Sequence, residues 1–221
     1  MIHFEVDPDA LQREVPYSLD LFGGRAFVSL VAFTLRGMRP RLGGRFSAWL
    51  FRPIATHDFL NVRTYVQHEN EFGIHFLAEW LSSRLAARLG PATFGLPYRL
   101  GRITCNHAAQ RGPFQAQVAD AVGGGKLDYR ACFDSSALQP CQAGSLDEWL
   151  MERYTAFNSA GGRRRFFRVW HPPWPQRAAD VQLNDSSLLT QNWQCFEHAR
   201  QIGANYSPGF DAVWMGRPHG V

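Results

Sequence analysis

Lysine is almost absent from this 221-residue chain: Lys126 stands alone among 23 basic residues, and the rest are arginines. Any chemistry that needs a side-chain amine has one candidate, because a guanidinium stays protonated and cannot stand in for a neutral amine. Long apolar runs are also missing. The longest uncharged, mostly apolar stretch is Ala26 to Leu35, well short of the roughly 20 residues of a membrane helix. The start, Met1-Ile2-His3-Phe4-Glu5-Val6-Asp7, has no basic flank and apolar core of the secretory kind. The four cysteines show no CxxC or other metal-ligand spacing and read as reduced thiols of a cytoplasmic protein. No GxGxxG, Walker loop, HExxH or GxSxG is present. Gly123-Gly124-Gly125-Lys126 lacks the upstream glycine and the following Ser/Thr of a phosphate loop, and reads as a hairpin turn. No cofactor, metal, nucleic-acid partner or membrane is therefore expected. The net charge of +4 is spread along the chain apart from Arg163-Arg164-Arg165 and Arg168, which read as the solvated start of a strand or as a phosphate patch.

What is present is mostly β pattern. Strands are expected over Arg25–Leu35, Asn61–Val66, Gly73–Glu79, Gln115–Val118, Asp128–Phe133, Arg165–Trp170, Val181–Leu183 and Asp211–Trp214. A basic loop follows the first over Arg36–Gly44. Helices are fewer. One is capped by Ser82 and stopped at Gly90-Pro91. A second opens on the Ser145–Glu148 capping box, runs through Tyr154 and ends before Gly161. A short one starts near Asp185 or Ser186. Many strands without βαβ alternation indicate a mostly β (α+β) barrel with flanking helices, and no linker divides residues 1–221.

The segment Asn61-Val62-Arg63-Thr64-Tyr65 alternates in period two, so Asn61, Arg63 and Tyr65 share a face. In an open sheet that face meets water. In a closed barrel a buried arginine needs a carboxylate or an anionic ligand. Two further segments stand out: Phe94-Gly-Leu-Pro-Tyr-Arg99, and the stiff His171-Pro-Pro-Trp-Pro175, a rigid edge that would hold Trp174 against the barrel.

In order, Val15-Pro-Tyr-Ser-Leu-Asp-Leu-Phe-Gly-Gly-Arg-Ala-Phe-Val-Ser-Leu30, Leu60-Asn-Val-Arg-Thr-Tyr-Val66, Phe94-Gly-Leu-Pro-Tyr98, His171-Pro-Pro-Trp-Pro175 and Tyr206-Ser-Pro-Gly-Phe-Asp211 resemble the YqjF-like family of uncharacterised bacterial proteins. That family is similar to acetoacetate decarboxylase, which implies a cone-shaped β-barrel with a central pocket and a homo-oligomeric assembly. The decarboxylase acts through a lysine that forms a Schiff base with a ketone, aided by a glutamate. By resemblance its lysine pair falls on Tyr98 and Arg99, and its glutamate on Asn61. The resemblance thus carries the fold but not the reactive groups, and Lys126 falls in the glycine-rich turn.

Three readings follow. In the first, Asn61, Arg63, Tyr65, Tyr98 and Arg99 bind a small anionic or carbonyl-bearing molecule without covalent chemistry. In the second, a lyase or isomerase acts on an oxo acid, with Tyr98, Tyr65 or Glu79 moving protons and the arginines stabilising an enolate or carboxylate. In the third, the chain is an oligomeric scaffold. A buried Arg63–Tyr98 pocket with a raised Glu79 pKa would favour the enzyme, and a filled barrel interior the scaffold.

Overall fold

The computed structural model describes residues 1–39, 46, 49, 52, 55–106, 114–133 and 135–221. The expected loop over Arg36–Gly44 falls outside these from residue 40 onward. In chain order the described elements are β1 (Ile2–Val6), α1 (Pro8–Glu14), β2 (Ser18–Leu19), β3 (Ala26–Leu35), β4 (His57–His68), β5 (Glu71–Leu81), α2 (Arg84–Phe94), β6 (Tyr98–Asn106), β7 (Phe114–Asp120) and β8 (Lys126–Cys132). They continue with α3 (Leu146–Met151), β9 (Thr155–Ala160), β10 (Arg163–Trp170), β11 (Arg177–Ala178), β12 (Asp180–Asp185), α4 (Ser187–Thr190), a 3₁₀ turn (Gln194–Phe196), β13 (Arg200–Tyr206), β14 (Trp214–Met215) and β15 (His219–Gly220).

The strands join in the order β13-β1-β3-β4-β5-β6-β7-β8-β12, with β11 on the outer edge of β13. The arc nearly closes. The Ala179 amide donates to the Ala204 carbonyl at 2.8 Å, and Gln201 Nε2 donates to the Val181 carbonyl at 2.9 Å, so β12 returns to β13. The β-branched and aromatic run of β3 fits this wall, because such side chains pack well on a pleated surface. β4 is the centre of the wall, antiparallel to β3 over Val28–Leu35 and to β5 over Glu71–Leu81.

Alternation gives the wall two faces with different cores. Leu60, Val62 and Val66 of β4, with Val28, Leu30, Ala78 and Trp80, meet Ala116, Val118, Leu127, Tyr129 and Val181 from across the barrel. Leu11 of α1, Leu188 and Leu189 of α4, and Trp193 and Phe196 close this apolar interior. On the opposite face Phe27, Tyr65, Ile74 and Phe76 pack against Leu150 of α3 and against Ala156 and Phe167 of the β9–β10 hairpin.

Both β6 and β9 run parallel to β5, at different ends. β6 pairs with Glu79–Leu81 and β9 with Ile74–His75. Leu77 is extra in the register between β4 and β5 and bulges where the two parallel neighbours diverge. A cavity of ≈ 270 Å³ opens there, lined in part by His75, Phe76, Leu77, Pro97 and Asn158.

Some element boundaries differ from expectation for local reasons. Ser83, not Ser82, caps α2 by accepting from the Ala86 amide, while Ser82 Oγ accepts from the Asp58 amide. The helix continues through Pro91 and stops at Gly95, whose left-handed φ of 67° ends it and whose amide donates to the Pro91 carbonyl. The helix opened by Ser145 ends at Met151, and Thr155–Ala160 pairs with β10 as a strand instead. Asp211–Trp214 supplies only Trp214 to a strand. Among the described residues no helix is long and apolar enough to cross a membrane.

Gly73 sits at the β5–β9 junction, where an added Cβ would fall 2.4 Å from the Thr155 carbonyl oxygen. Gly73→Ala must push these strands apart, and is expected to cost about 1–3 kcal/mol in urea unfolding. An unchanged midpoint would show that this junction is loose.

Candidate functional site

The site is built on the second face of the wall. Asn61, Arg63 and Tyr65 alternate onto it from β4, and all three are buried. Asn61 lies opposite Glu79 in the β4–β5 register, and Glu79 lies opposite Tyr98 in the β5–β6 register. Three strands therefore bring an amide, a carboxyl and a phenol into one transverse row, with directly opposed Cβ atoms about 5 Å apart.

Glu79 is 3% exposed, and its Oε2 has no hydrogen-bond partner among the described residues. Burial alone pushes its carboxyl up to about 8, so most of it is uncharged at neutral pH. Asn61 Oδ1 beside it is also buried without a partner. The Tyr98 phenol is raised above its ordinary value, first by burial and then by the proximity of Glu79.

Arg63 lies opposite Phe76, one inward-facing position along β4 from Asn61. Its Nη2 donates to the Leu150 carbonyl at 3.1 Å and touches Met1 Sδ at 3.8 Å. Its Nε is buried with no partner, and no carboxylate pairs with it among the described residues. α3 supplies the Leu150 carbonyl because Ser145 Oγ caps that helix at the Glu148 amide, 3.2 Å away, and fixes where its last turn ends.

Behind Arg63 runs a buried hydrogen-bond chain. Asn205 Nδ2 donates to Gln176 Oε1 (2.9 Å) and Asp147 Oδ2 (3.2 Å), which turns Asn205 Oδ1 toward His3 Nε2 at 3.0 Å. His3 Nε2 is therefore the donor. Burial, helped first by the Met1 α-amine and then by the charge of Arg63, lowers His3 to about 3 and keeps the ring neutral. Its Nδ1 then accepts from Ser29 Oγ at 2.7 Å. Tyr65 Oη lies 2.5 Å from Ser29 Oγ and 2.9 Å from the Leu150 carbonyl. The single phenol proton has two protein acceptors and none to spare for a ligand. Sequence reasoning missed His3, Ser29 and Asn205, because they come from three distant strands and carry no spacing signal.

Arg99 is not brought to this group. It follows Tyr98 on a strand, so the two side chains must leave opposite faces. Arg99 lies over Trp80 and Trp193, with its Cζ 5.3 and 6.0 Å from the ring centroids. It donates to Asn192 Oδ1 at 2.5 Å and lies 4.0 Å from Asp120. The alternation that groups Asn61, Arg63 and Tyr65 separates Tyr98 from Arg99, and this was readable from the sequence. Lys126 Nζ donates to Asp128 Oδ2 at 2.9 Å, on the side of β8 away from the apolar interior. Among the described residues no group of three His, Cys, Asp or Glu side chains could hold a metal ion.

The profile of the DUF2071 family of uncharacterized conserved proteins matches residues 1–211. The chain belongs to the DUF2071 family. It is 28% identical over 197 residues to the uncharacterized protein YqjF of Bacillus subtilis (strain 168), spanning 84% of this chain and 75% of that protein. Among solved structures it resembles an acetoacetate decarboxylase-like enzyme from Sphingomonas wittichii RW1, with a TM-score of 0.60 at 15% identity over 100% of this chain and 89% of the other. It also resembles the enduracididine biosynthesis enzyme MppR complexed with pyruvate, with a TM-score of 0.57 at 14% identity over 99% and 81%. The DUF2071 chain thus has the acetoacetate decarboxylase-like fold.

The buried titratable groups predict how stability varies with pH. His3 and His75, the latter lowered to about 4 by burial, stay neutral in the fold, whereas an exposed histidine titrates at 6.5. Their stabilisation is complete above pH 6.5 and is lost as pH falls below it. Glu79 acts in the opposite sense: an exposed glutamate ionises at 4.5, so holding its proton up to about 8 costs stability between those values. Two histidines outweigh one glutamate below pH 6.5. Above it the buried Met1 α-amine, lowered from 8.0 to about 5 by burial, opposes Glu79, because its stabilisation is complete only above pH 8. The melting temperature is expected to rise up to pH 6.5 and to level off between 6.5 and 8. In Glu79→Gln it should keep rising toward pH 8, by about 2 kcal/mol of stability. A wild-type melting temperature that falls between pH 6.5 and 8, or a flat profile in the variant, would contradict this.

Proposed function

We propose that the DUF2071 chain binds a small anionic, carbonyl-bearing molecule on the second face of its barrel wall, without covalent attachment, as a cytoplasmic protein. The observation that carries this reading is Arg63: a buried guanidinium with an unpartnered Nε and no carboxylate paired with it among the described residues. A buried unpaired charge is costly, and a ligand carboxylate removes that cost while giving two-point geometry to an arginine fork. Asn61 is the next inward-facing residue of the same strand, and the row it forms with Glu79 and Tyr98 offers a donor and acceptors suited to a carbonyl oxygen. The pyruvate in MppR supports a small oxo acid as the ligand class for a barrel of this kind.

The non-covalent character of the proposal rests on the amines. Tyr98 and Arg99 occupy the positions that resemble the decarboxylase lysines, Lys126 is engaged by Asp128, and the Met1 α-amine, which burial lowers to about 5, is held by the Asn205 carbonyl at 2.6 Å. The filled apolar interior is the feature that a scaffold reading would use. The raised carboxyl of Glu79 on the other face favours a working site.

Thermal-shift titration with pyruvate and other small oxo acids tests the proposal. Stabilisation is expected in the wild type and lost in Arg63→Met. Arg99→Met should melt lower because it loses Asn192 and the indole faces, yet keep the ligand-induced shift. A shift retained in Arg63→Met, or no shift with any oxo acid, would contradict the binding reading and favour the scaffold.

A further inference from the structure

The Asn61–Glu79–Tyr98 row carries more than binding requires. An anion site needs Arg63, but it gains nothing from a carboxyl group buried one strand away. Among the described residues Glu79 has no cation paired with it, no partner at Oε2 and no link to the Tyr65–Ser29–His3 chain. An unpartnered buried carboxyl is a standing cost, and this one stands directly between a phenol and an amide oxygen that itself lacks a partner.

We infer that this row moves a proton at the carbon next to the ligand's carbonyl, so that the protein interconverts an oxo acid and its enolate without forming an imine. The inference rests on the binding reading above, with the carboxylate of the ligand on Arg63. The Glu79 carboxylate takes the proton from the carbon next to the keto group. The C–H electron pair becomes the new C=C bond, and the carbonyl π pair moves onto oxygen, where the Tyr98 hydroxyl donates a hydrogen bond. Return of a proton from the Glu79 carboxylic acid to carbon closes the cycle. No electrons are gained or lost, and solvent water is the only co-reactant, exchanging the proton on Glu79. Asn61 Oδ1 is the nearby acceptor for the acid form of Glu79.

The reaction has the geometry such a step needs. Base and oxyanion donor come from adjacent strands at opposed positions, so one small molecule can meet both. Neither group is committed elsewhere in the way Tyr65 is. The titratable and charged groups around Glu79 are these. Tyr98 faces it from β6, Arg63 follows Asn61 on β4, the buried His57 lies on the same face at the start of β4 against Phe59, and Arg84 and Arg88 of the neighbouring α2 are exposed. Because only the ionised form is a base, exchange should rise with pH up to about 8 and level off above it.

The test is the loss of the methyl proton signal of pyruvate in D₂O, followed by NMR with the full-length protein, alongside saturation-transfer detection of bound pyruvate. The wild type is expected to exchange the methyl protons at least tenfold faster than buffer, with the pH dependence above. Glu79→Gln should bind pyruvate while exchanging it at the buffer rate, and Tyr98→Phe should slow exchange more than it weakens binding. Borohydride should leave the protein mass unchanged. Pyruvate bound but exchanged only at the buffer rate would overturn the inference and leave the binding reading intact. Wild-type exchange in a folded Glu79→Gln, or a borohydride-trapped adduct on Lys126, would also overturn it. No pyruvate binding in the saturation-transfer experiment would remove both readings together.

Discussion

The period-two alternation of β4 is the constraint on which the rest depends. This strand is hydrogen-bonded on both sides, to β3 and β5, through most of its length. A slip of one residue would drive Asn61, Arg63 and Tyr65 into the apolar interior and expose Leu60, Val62 and Val66 to the polar face. The hydrophobic set holds the register, and the register in turn dictates which polar groups are buried together. The single compensating irregularity is the Leu77 bulge in β5. It lets Glu79 oppose Asn61 while Phe76 opposes Arg63.

The resulting face has an uneven charge pattern. The Arg153 side chain is also largely enclosed, at 8% exposure, but Asp20 answers it at 2.8 Å, and its guanidinium lies over the Trp149 ring. Arg63 has no such counterpart. The His3 ring behind it is held neutral, and Glu79 is held largely protonated at neutral pH, so neither neighbour brings a balancing negative charge. One uncompensated buried cation beside one largely neutral acid is a poor arrangement for stability alone. It is a coherent one for receiving an oxo acid, whose carboxylate and carbonyl ask for those two groups.

Much of this was legible in the sequence, and the parts that were not have identifiable causes. β3, β4, β5, β8 and β10 announce themselves through alternation and β-branched or aromatic content, and Asn61, Arg63 and Tyr65 fall on one face by spacing alone. Period two also predicts that Tyr98 and Arg99 part company, although the resemblance to a lysine pair suggested treating them together. Glu79 was a candidate only as a residue near the end of a strand. Its burial and its place between Asn61 and Tyr98 come from a parallel β5–β6 pairing that no local pattern encodes. β1 alternates Ile2, Phe4 and Val6 with His3 and Glu5 but is only five residues long, and β13 has no apolar alternation, so neither His3 nor Asn205 stood out, yet tertiary pairing makes them the back wall of the site. The strand β9 was hidden behind a strong capping box, which nucleates only the six residues of α3 before chain pairing takes over.

The central claim is that Arg63 waits for the negative charge of a ligand. A crystal structure of the protein with pyruvate tests it most directly. The account predicts the carboxylate oxygens within about 3 Å of Arg63 Nε or its terminal nitrogens, with the keto oxygen turned toward Tyr98 and Glu79. Pyruvate seated elsewhere, or linked to Lys126, or Arg63 found paired with a carboxylate of the protein's own, would contradict it.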